Sequence, residues 1–305
     1  MNTYLIEHKI KTLAELYEVA DGKKEFEFRG FKFRQWDFTF TDGALGDAWI
    51  ARKEVEANNV LEAVNDFRRE LFDIVRRVSF VSQCFATADI ESFFILRVND
   101  NSSGVFYYSF SEETSHVPLH FEEDEKESLK KLEGFDRPIA FEYISQSTRS
   151  VTYTTKLAML IIALESIAGE VVSGKTNKEY IEKEILKDEE LYNEIFQYET
   201  GIRNKIFHGK EVVAGKRDYA GIIYGKIVDY FNEKYNTKIS KNVVGPQRVP
   251  FGNYTGYYGW FEPSTVFSDW DLKKIIEINE NDRKRDDKLI NGTFFHMLSK
   301  MPDQY

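Results

Sequence analysis

The sequence predicts an α+β N-terminal domain over residues 1–120, followed by an all-α helical bundle over residues 138–236. Aromatic residues alternate with charged or polar residues across positions 25–40, which predicts strands that have one buried face. Apolar residues recur at three- and four-residue steps between positions 59 and 78, which predicts an amphipathic helix. The apolar run over residues 156–167 predicts the central helix of the bundle.

Composition restricts the class of protein. With 305 residues, 42% of them hydrophobic and 30% charged, the chain is long enough for two globular domains and is not disordered. The net charge of −10 argues against coating nucleic acid through bulk charge, but it allows a local basic site. We find no signal peptide and no apolar run long enough to span a bilayer. We therefore expect a soluble, cytoplasmic protein that has no membrane partner.

The expected elements of the N-terminal domain are a short helix over residues 9–20, several strands, and the amphipathic helix, which Asn59 and Glu62 cap as a pair. The expected strands cover residues 25–29, 31–40, 48–56, 92–98 and 104–110. Their aromatic side chains could stack on RNA bases, although burial in a core explains the alternation more simply. The single cysteine, Cys84, lies in an apolar run, so we expect it to be buried and to form no disulfide.

Residues 121–137 are expected to form an acidic linker, and residues 237–305 a C-terminal extension of unclear role with a helix over 271–281. His116 and His120 precede a group of acidic residues at the linker start, and this spacing could bind a metal ion. A solvated loop explains these residues better, so no metal or other cofactor is expected. Within the helical domain, a Ser/Thr-rich stretch around residues 145–155 predicts a break between two helices.

The strongest candidate for chemistry is the segment 198–210, Y-E-T-G-I-R-N-K-I-F-H-G-K. At about 100° per residue, Asn204 and His208 lie one turn apart on a shared face, whereas Arg203 and His208 diverge by about 140°. Gly209 is expected to end the helix in a left-handed conformation. His208 would then lie at the helix C-terminus, where the helix dipole favours the protonated imidazole.

These residue types suit cleavage of a phosphodiester without a metal ion. Histidine titrates near neutral pH and serves as general acid or base, and arginine binds phosphate through two donors and stabilises transition-state charge. Residues 203–217 contain five Lys or Arg against one Glu, whereas residues 179–199 contain eight acidic residues against two lysines. Lys205 and Lys210 in the basic cluster are therefore candidate RNA contacts. The alternative interpretation is an ordinary surface helix without a catalytic role.

The segment R-N-K-I-F-H-G that begins at Arg203 resembles the signature of the HEPN superfamily, in which four to six residues separate an arginine from a histidine and a polar residue often follows the arginine. It resembles in particular the ApeA-like branch of that superfamily. The run L-I-I-A-L-E-S-I that begins at Leu160 is similar to the first long helix of the HEPN domain. The resemblance covers residues 138–236 and makes the expected helical domain HEPN-like.

The resemblance implies a bundle that dimerises, so that two copies of the motif meet at a shared cleft, and a metal-independent endoribonuclease of a defence or stress-response system. It implies that His208 assists attack of a ribose 2′-hydroxyl on the adjacent phosphate. Arg203 would stabilise the phosphorane, and Asn204 would orient one of the two. Glu165 and Glu199 are the candidates for a supporting acidic residue.

Lys210 departs from the toxin-type members, which often carry tyrosine two residues after the histidine. The family also has inactive members, so the alternative function is a non-catalytic module that binds RNA, nucleotides or protein. In a third interpretation the N-terminal half senses a ligand or phage component and the helical half serves assembly. The expected partners are RNA, a second copy of the chain through the helical domain, and a ligand or protein trigger at the N-terminal domain.

Overall fold

The structure is a computed structural model. It describes residues 1–12, 14–16, 24–39, 45–83, 86–88, 93–98, 102–109, 119–150, 152–172, 174–210, 212, 217–241 and 255–261. The chain divides into two compact units. The first comprises Met1–Val75, Ala86–His120 and Pro250–Tyr305, and the second comprises Arg76–Phe85 and Phe121–Val249. The first is built on an antiparallel sheet and the second on helices, which agrees with the predicted order of an α+β part and a helical part.

The elements are numbered along the chain. The strands are β1 (Asn2–Thr12), β2 (Ala14–Leu16), β3 (Glu25–Phe28), β4 (Phe31–Thr39), β5 (Leu45–Ala57), β6 (Ala86–Thr87), β7 (Phe93–Arg97), β8 (Ser102–Ser109), β9 (Leu119–Phe121), β10 (Glu170–Val172), β11 (Lys175–Thr176) and β12 (Thr255–Phe261). The helices are α1 (Val60–Val81), α2 (Glu123–Lys131), α3 (Ile139–Arg149), α4 (Tyr153–Ala168), α5 (Lys178–Tyr180), α6 (Glu189–Phe196), α7 (Ile202–Phe207) and α8 (Tyr219–Tyr235). A 3-10 turn covers Leu132–Gly134, and a π-helix covers Ile181–Leu186.

The sheet of the first unit has eight strands in the order β12-β8-β7-β1-β5-β4-β3, with β6 paired to one end of β1. Strand β1 lies between β5 and β7 and pairs with both in antiparallel register. One face of β1 is buried throughout, namely Tyr4, Ile6, His8, Ile10 and Thr12, and Glu7 on the other face is buried as well. The short helix expected over residues 9–20 is therefore wrong in its described part, which forms β1 and β2. Period-two burial and pairing on both edges outweigh the weak helical spacing there.

The outermost strand on one side of this sheet comes from the C-terminal extension. Strand β12 pairs with β8 from Thr255 opposite Ser109 to Phe261 opposite Ser103. The extension, whose role the sequence left open, thus completes the N-terminal sheet with an edge strand. The helix expected over residues 271–281, and Cys84, lie outside the described residues.

The N-terminus of α1 follows the predicted cap. The Asn59 side chain accepts a hydrogen bond from the Glu62 N–H at 2.8 Å, and the Glu62 carboxylate accepts one from the Asn58 N–H at 3.0 Å. The reciprocal bond therefore falls one residue earlier than in a standard capping box. The apolar stripe predicted for this helix is buried throughout: Val60, Val64, Phe67, Leu71, Ile74 and Val78.

Among the described residues of the first unit, His8 is the most completely buried titratable residue. Its ring stacks on Phe67 with 6.3 Å between ring centroids, and its Nδ1 lies 2.7 Å from the carbonyl oxygen of Lys9. Because a carbonyl oxygen only accepts, Nδ1 carries the proton. Burial, with the nearby charge of Arg68, lowers the pKa of His8 from 6.5 to about 3. The imidazole is therefore neutral in the folded protein at neutral pH.

We expect this histidine to make the first unit sensitive to mild acid. As the pH falls below 6.5, the unfolded chain takes up a proton that the folded chain does not bind until about pH 3. The stability contribution is present above pH 6.5 and is lost as the pH falls, so the free energy of unfolding should drop by about 2 kcal/mol between pH 7.5 and pH 5. His8→Gln should flatten this slope. His208→Gln, which replaces an exposed histidine, should keep it.

Urea unfolding at several pH values measures the slope, with tryptophan fluorescence as the readout because Trp49 is buried in the same unit. Equal slopes in the wild type and in His8→Gln would contradict the prediction.

The second unit is built around α4, the helix that the sequence placed at the centre. Its buried residues are Leu157, Leu160, Ile161, Ala163, Leu164, Ile167 and Ala168. The predicted break in the Ser/Thr-rich stretch is confirmed, since α3 ends at Arg149 and the Thr152 hydroxyl caps α4 by accepting from the Thr155 N–H. A cluster of four phenylalanines, with neighbouring ring centroids 5.0–5.3 Å apart, fills one part of the core: Phe80, Phe135, Phe141 and Phe231.

The expected acidic linker contains α2 and the 3-10 turn instead of a solvated loop. Its acidic residues form a capping box, in which the Glu122 N–H donates to the Glu125 carboxylate at 2.9 Å, and acidic residues in the first turn favour a helix N-terminus. The buried Arg77 guanidinium donates to the carbonyl oxygen of Leu132 and, at 2.9 Å, to that of Phe135. Residues 123–135 are thereby part of the helical unit.

No helix in the described part of the chain combines the length and the apolar content that crossing a bilayer requires.

Candidate functional site

The candidate residues lie on α7, a helix of six residues between two glycines. Gly201 precedes the helix, and a Cβ atom there would lie 2.6 Å from the carbonyl oxygen of Ile195 and 2.7 Å from that of Gln197. The backbone leaves no room for a side chain at this position. The helix therefore begins at a fixed place against the end of α6.

Gly209 ends α7 at the other side. Its φ angle is +75°, and two hydrogen bonds close the helix: the Lys210 N–H donates to the Lys205 carbonyl at 2.9 Å, and the Gly209 N–H donates to the Ile206 carbonyl at 3.0 Å. This is a Schellman motif, and it confirms the predicted left-handed glycine stop. His208 is the last residue before that stop, so its side chain projects from the C-terminal end of the helix.

The predicted relation between Asn204 and His208 is confirmed. The His208 N–H donates to the Asn204 carbonyl at 3.0 Å, so the two residues are one turn apart. Ile202 points into the core, whereas Lys205, Phe207 and His208 are exposed. At about 100° per residue, the outward side of α7 runs from Phe207 through Asn204 and His208 to Lys205.

Arg203 lies at the margin of this outward side and is fixed by two contacts. Its Nε–H donates to Oε1 of Glu165 on α4 at 2.8 Å, and its guanidinium carbon lies 5.1 Å from the centroid of the Phe207 ring. The Glu165 side chain is 18% exposed and the Arg203 side chain 39% exposed, so the pair is partly shielded from water. Among the described residues the ion pair uses only Nε, which leaves the donors on both Nη atoms for another acceptor.

Of the two predicted acidic residues, the structure brings only Glu165 to Arg203. Glu199 is exposed, has a φ of +66° in the turn before α7, and forms no ion pair with any described residue. A half-buried carboxylate that accepts from Nε orients the guanidinium more firmly than an exposed one does. Glu165 is therefore the residue that positions Arg203.

The basic residues on and after α7 differ in whether the structure pairs them with an acidic residue. Lys205 and Lys210 are exposed, and within the described chain neither forms an ion pair. Arg217, from the same basic cluster, behaves differently because its Nη1 lies 2.6 Å from Oε2 of Glu194. The sequence-predicted RNA contacts at Lys205 and Lys210 thus remain available to an anion.

Phe207 belongs to this surface and was not predicted. It lies four residues after Arg203, a spacing that places two side chains on the same face of a helix. That spacing could have identified Phe207 from the sequence, although an aromatic residue at the end of a helix is first interpreted as a core residue.

No metal centre emerges from the described residues, among which no three His, Cys, Asp or Glu side chains gather closely enough to hold an ion. His116 of the weaker candidate pair lies outside the described residues.

Comparison of the chain with protein-family models, with curated proteins and with solved structures gives no match.

Proposed function

We propose that the protein is a metal-independent endoribonuclease of HEPN type, which acts in the cytoplasm as a homodimer within a defence or stress-response system. The observation that carries this proposal is the placement of Arg203, which Glu165 holds at 2.8 Å at the margin of the helix surface that also presents His208. An oriented guanidinium and an accessible imidazole on one short helix are the two groups that this chemistry requires.

In the proposed reaction, His208 removes the proton of a ribose 2′-hydroxyl, and the 2′-oxygen attacks the adjacent phosphorus. The bond from phosphorus to the 5′-oxygen breaks and leaves a 2′,3′-cyclic phosphate and a 5′-hydroxyl. The Nη donors of Arg203 bind the non-bridging oxygens, on which charge accumulates in the phosphorane. The Asn204 amide, one turn from His208, orients the imidazole or the phosphate.

The departing 5′-oxygen needs a proton, and one α7 supplies only one histidine. A second copy of the chain, paired through the helical unit, would bring the second imidazole to the same phosphate. Lys205 and Lys210 would hold the neighbouring phosphates. Binding through such contacts weakens with added salt, because each one releases a condensed counterion.

The test of this proposal is incubation of the purified protein with RNA in excess chelator, followed by analysis of the product ends. We expect cleavage to 2′,3′-cyclic phosphate and 5′-hydroxyl ends, and no cleavage of the same sequence as DNA. Dependence on a divalent metal ion, 3′-hydroxyl products, or equal cleavage of DNA would overturn the proposal. Binding of RNA without cleavage would instead favour the non-catalytic module.

A further inference from the structure

Phe207 is a large apolar side chain that the fold leaves 49% exposed at the C-terminal end of α7. Burying a phenylalanine stabilises a protein by about 1.5–3 kcal/mol, so its exposure at this position forgoes part of that energy. The residue lies on the outward side of the helix, next to the positions of Asn204 and His208.

The Phe207 ring lies next to a side chain that is itself held in place. The Arg203 guanidinium lies against it at 5.1 Å from the centroid, and Arg203 is itself held by Glu165 at 2.8 Å. A cation over an aromatic face is attracted by the electron density of the ring. One side of the ring is therefore occupied by a positioned cation, and the exposed half presents apolar surface to an incoming molecule.

The charged residues of this segment indicate which class of molecule could bind beside the Phe207 ring. The segment that carries the ring also carries Arg203, Lys205, His208 and Lys210, and within the described chain only Arg203 among them has an acidic partner. In the proposed dimer the two copies of this surface would face each other across the bound molecule, because packing one directly on the other would bring like charges together, which costs free energy. A polyanion that also carries flat aromatic groups satisfies both the charges and the ring, and nucleic acid has this chemistry.

We propose that Phe207 stacks on a nucleobase beside the cleaved phosphate, and that the substrate is therefore RNA whose bases are unpaired at the site of cleavage. This inference rests on the proposed nuclease function and specifies its substrate class. A base within a duplex is covered on both faces by its neighbours, so the ring reaches only a base that has left the stack. Because every base has an aromatic face, the selection is for single strands and tolerates sequence.

The test measures binding of a single-stranded RNA oligomer with 2′-O-methyl groups, which keep the strand from being cut. In fluorescence anisotropy, Phe207→Leu should weaken binding by about tenfold to a hundredfold, the range for loss of one base stack. Phe207→Trp should keep the affinity. A matched control is Tyr219→Leu, since Arg217 lies 5.5 Å over the Tyr219 ring while pairing with Glu194, and its affinity should equal that of the wild type.

The same oligomer annealed to its complement should bind more weakly than the single strand and should not respond to Phe207→Leu. Equal binding of the single strand by the wild type and Phe207→Leu overturns the inference, as does a change of oligomeric state in Phe207→Leu, which would assign the ring to a contact between copies. A cleavage assay with unmodified RNA distinguishes the stacking role of Phe207 from the proposed nuclease function. If Phe207 governs binding but unmodified RNA stays intact, the nuclease function fails and the stacking role stands.

Discussion

Replacement of His208 by alanine is expected to slow RNA cleavage by a factor of about 10²–10⁴, the usual contribution of a positioned acid–base group. The residue is exposed at the end of α7, so the folded structure loses little and the free energy of unfolding should change by less than about 0.5 kcal/mol. Single-turnover cleavage in chelator measures the rate, and urea unfolding measures the stability.

Arg203→Lys is the companion variant. Lysine keeps the positive charge near Glu165 but lacks the planar fork that spans two phosphate oxygens, so we expect a loss of about 10²–10³-fold. Lys205→Ala serves as the control on the same helix, and its defect should be small and should shrink at low salt. Cleavage of RNA by the His208→Ala variant at the wild-type rate would exclude His208 from the proposed reaction.

Gly201→Ala is expected to damage both the fold and the activity. The added methyl group would lie 2.6 Å from the Ile195 carbonyl oxygen, closer than such atoms approach in proteins, so the turn before α7 must move. Overpacking of this kind costs about 1–3 kcal/mol of stability. A shift of about 1 Å in α7 would lower the cleavage rate about a hundredfold, because the proposed catalysis requires a defined placement of Arg203 and His208.

The matched control is Gly225→Ala on α8. A Cβ atom there meets nothing within 4 Å, and glycine is a poor helix former. This variant should be more stable than the wild type by up to about 1 kcal/mol and should cut RNA normally. Thermal unfolding and the cleavage assay compare the two variants directly. Equal stability of Gly201→Ala and the wild type would show that the turn tolerates a side chain.

Local features of the fold were predictable because they depend on residues close together in the chain. The Asn59 cap of α1, the break between α3 and α4, and the glycine stop at Gly209 all follow from hydrogen bonds or backbone angles within a few residues. The structure confirms each of them.

The predictions that proved wrong concern features that depend on residues far apart in the chain. The helix expected over residues 9–20 gives way to β1 because β5 and β7 pair with it from both sides, and the acidic linker becomes α2 partly because Arg77 binds its end from 55 residues away. In the candidate site, too, a contact between distant residues could not be predicted from the sequence. The resemblance named both Glu165 and Glu199 as candidates, and packing of α4 against α7 brings Glu165, 38 residues before Arg203, to the guanidinium.

Strand β12 has a consequence for synthesis of the protein. It pairs with β8, so the N-terminal sheet reaches its full width only after residues 255–261 have left the ribosome. By then every described helix has already been translated. The helical unit can therefore fold while β8 still presents an open edge to the cell, which exposes nascent chains to pairing with one another. Expression that ends before β12 would make this exposure permanent, and truncated chains should aggregate through that edge.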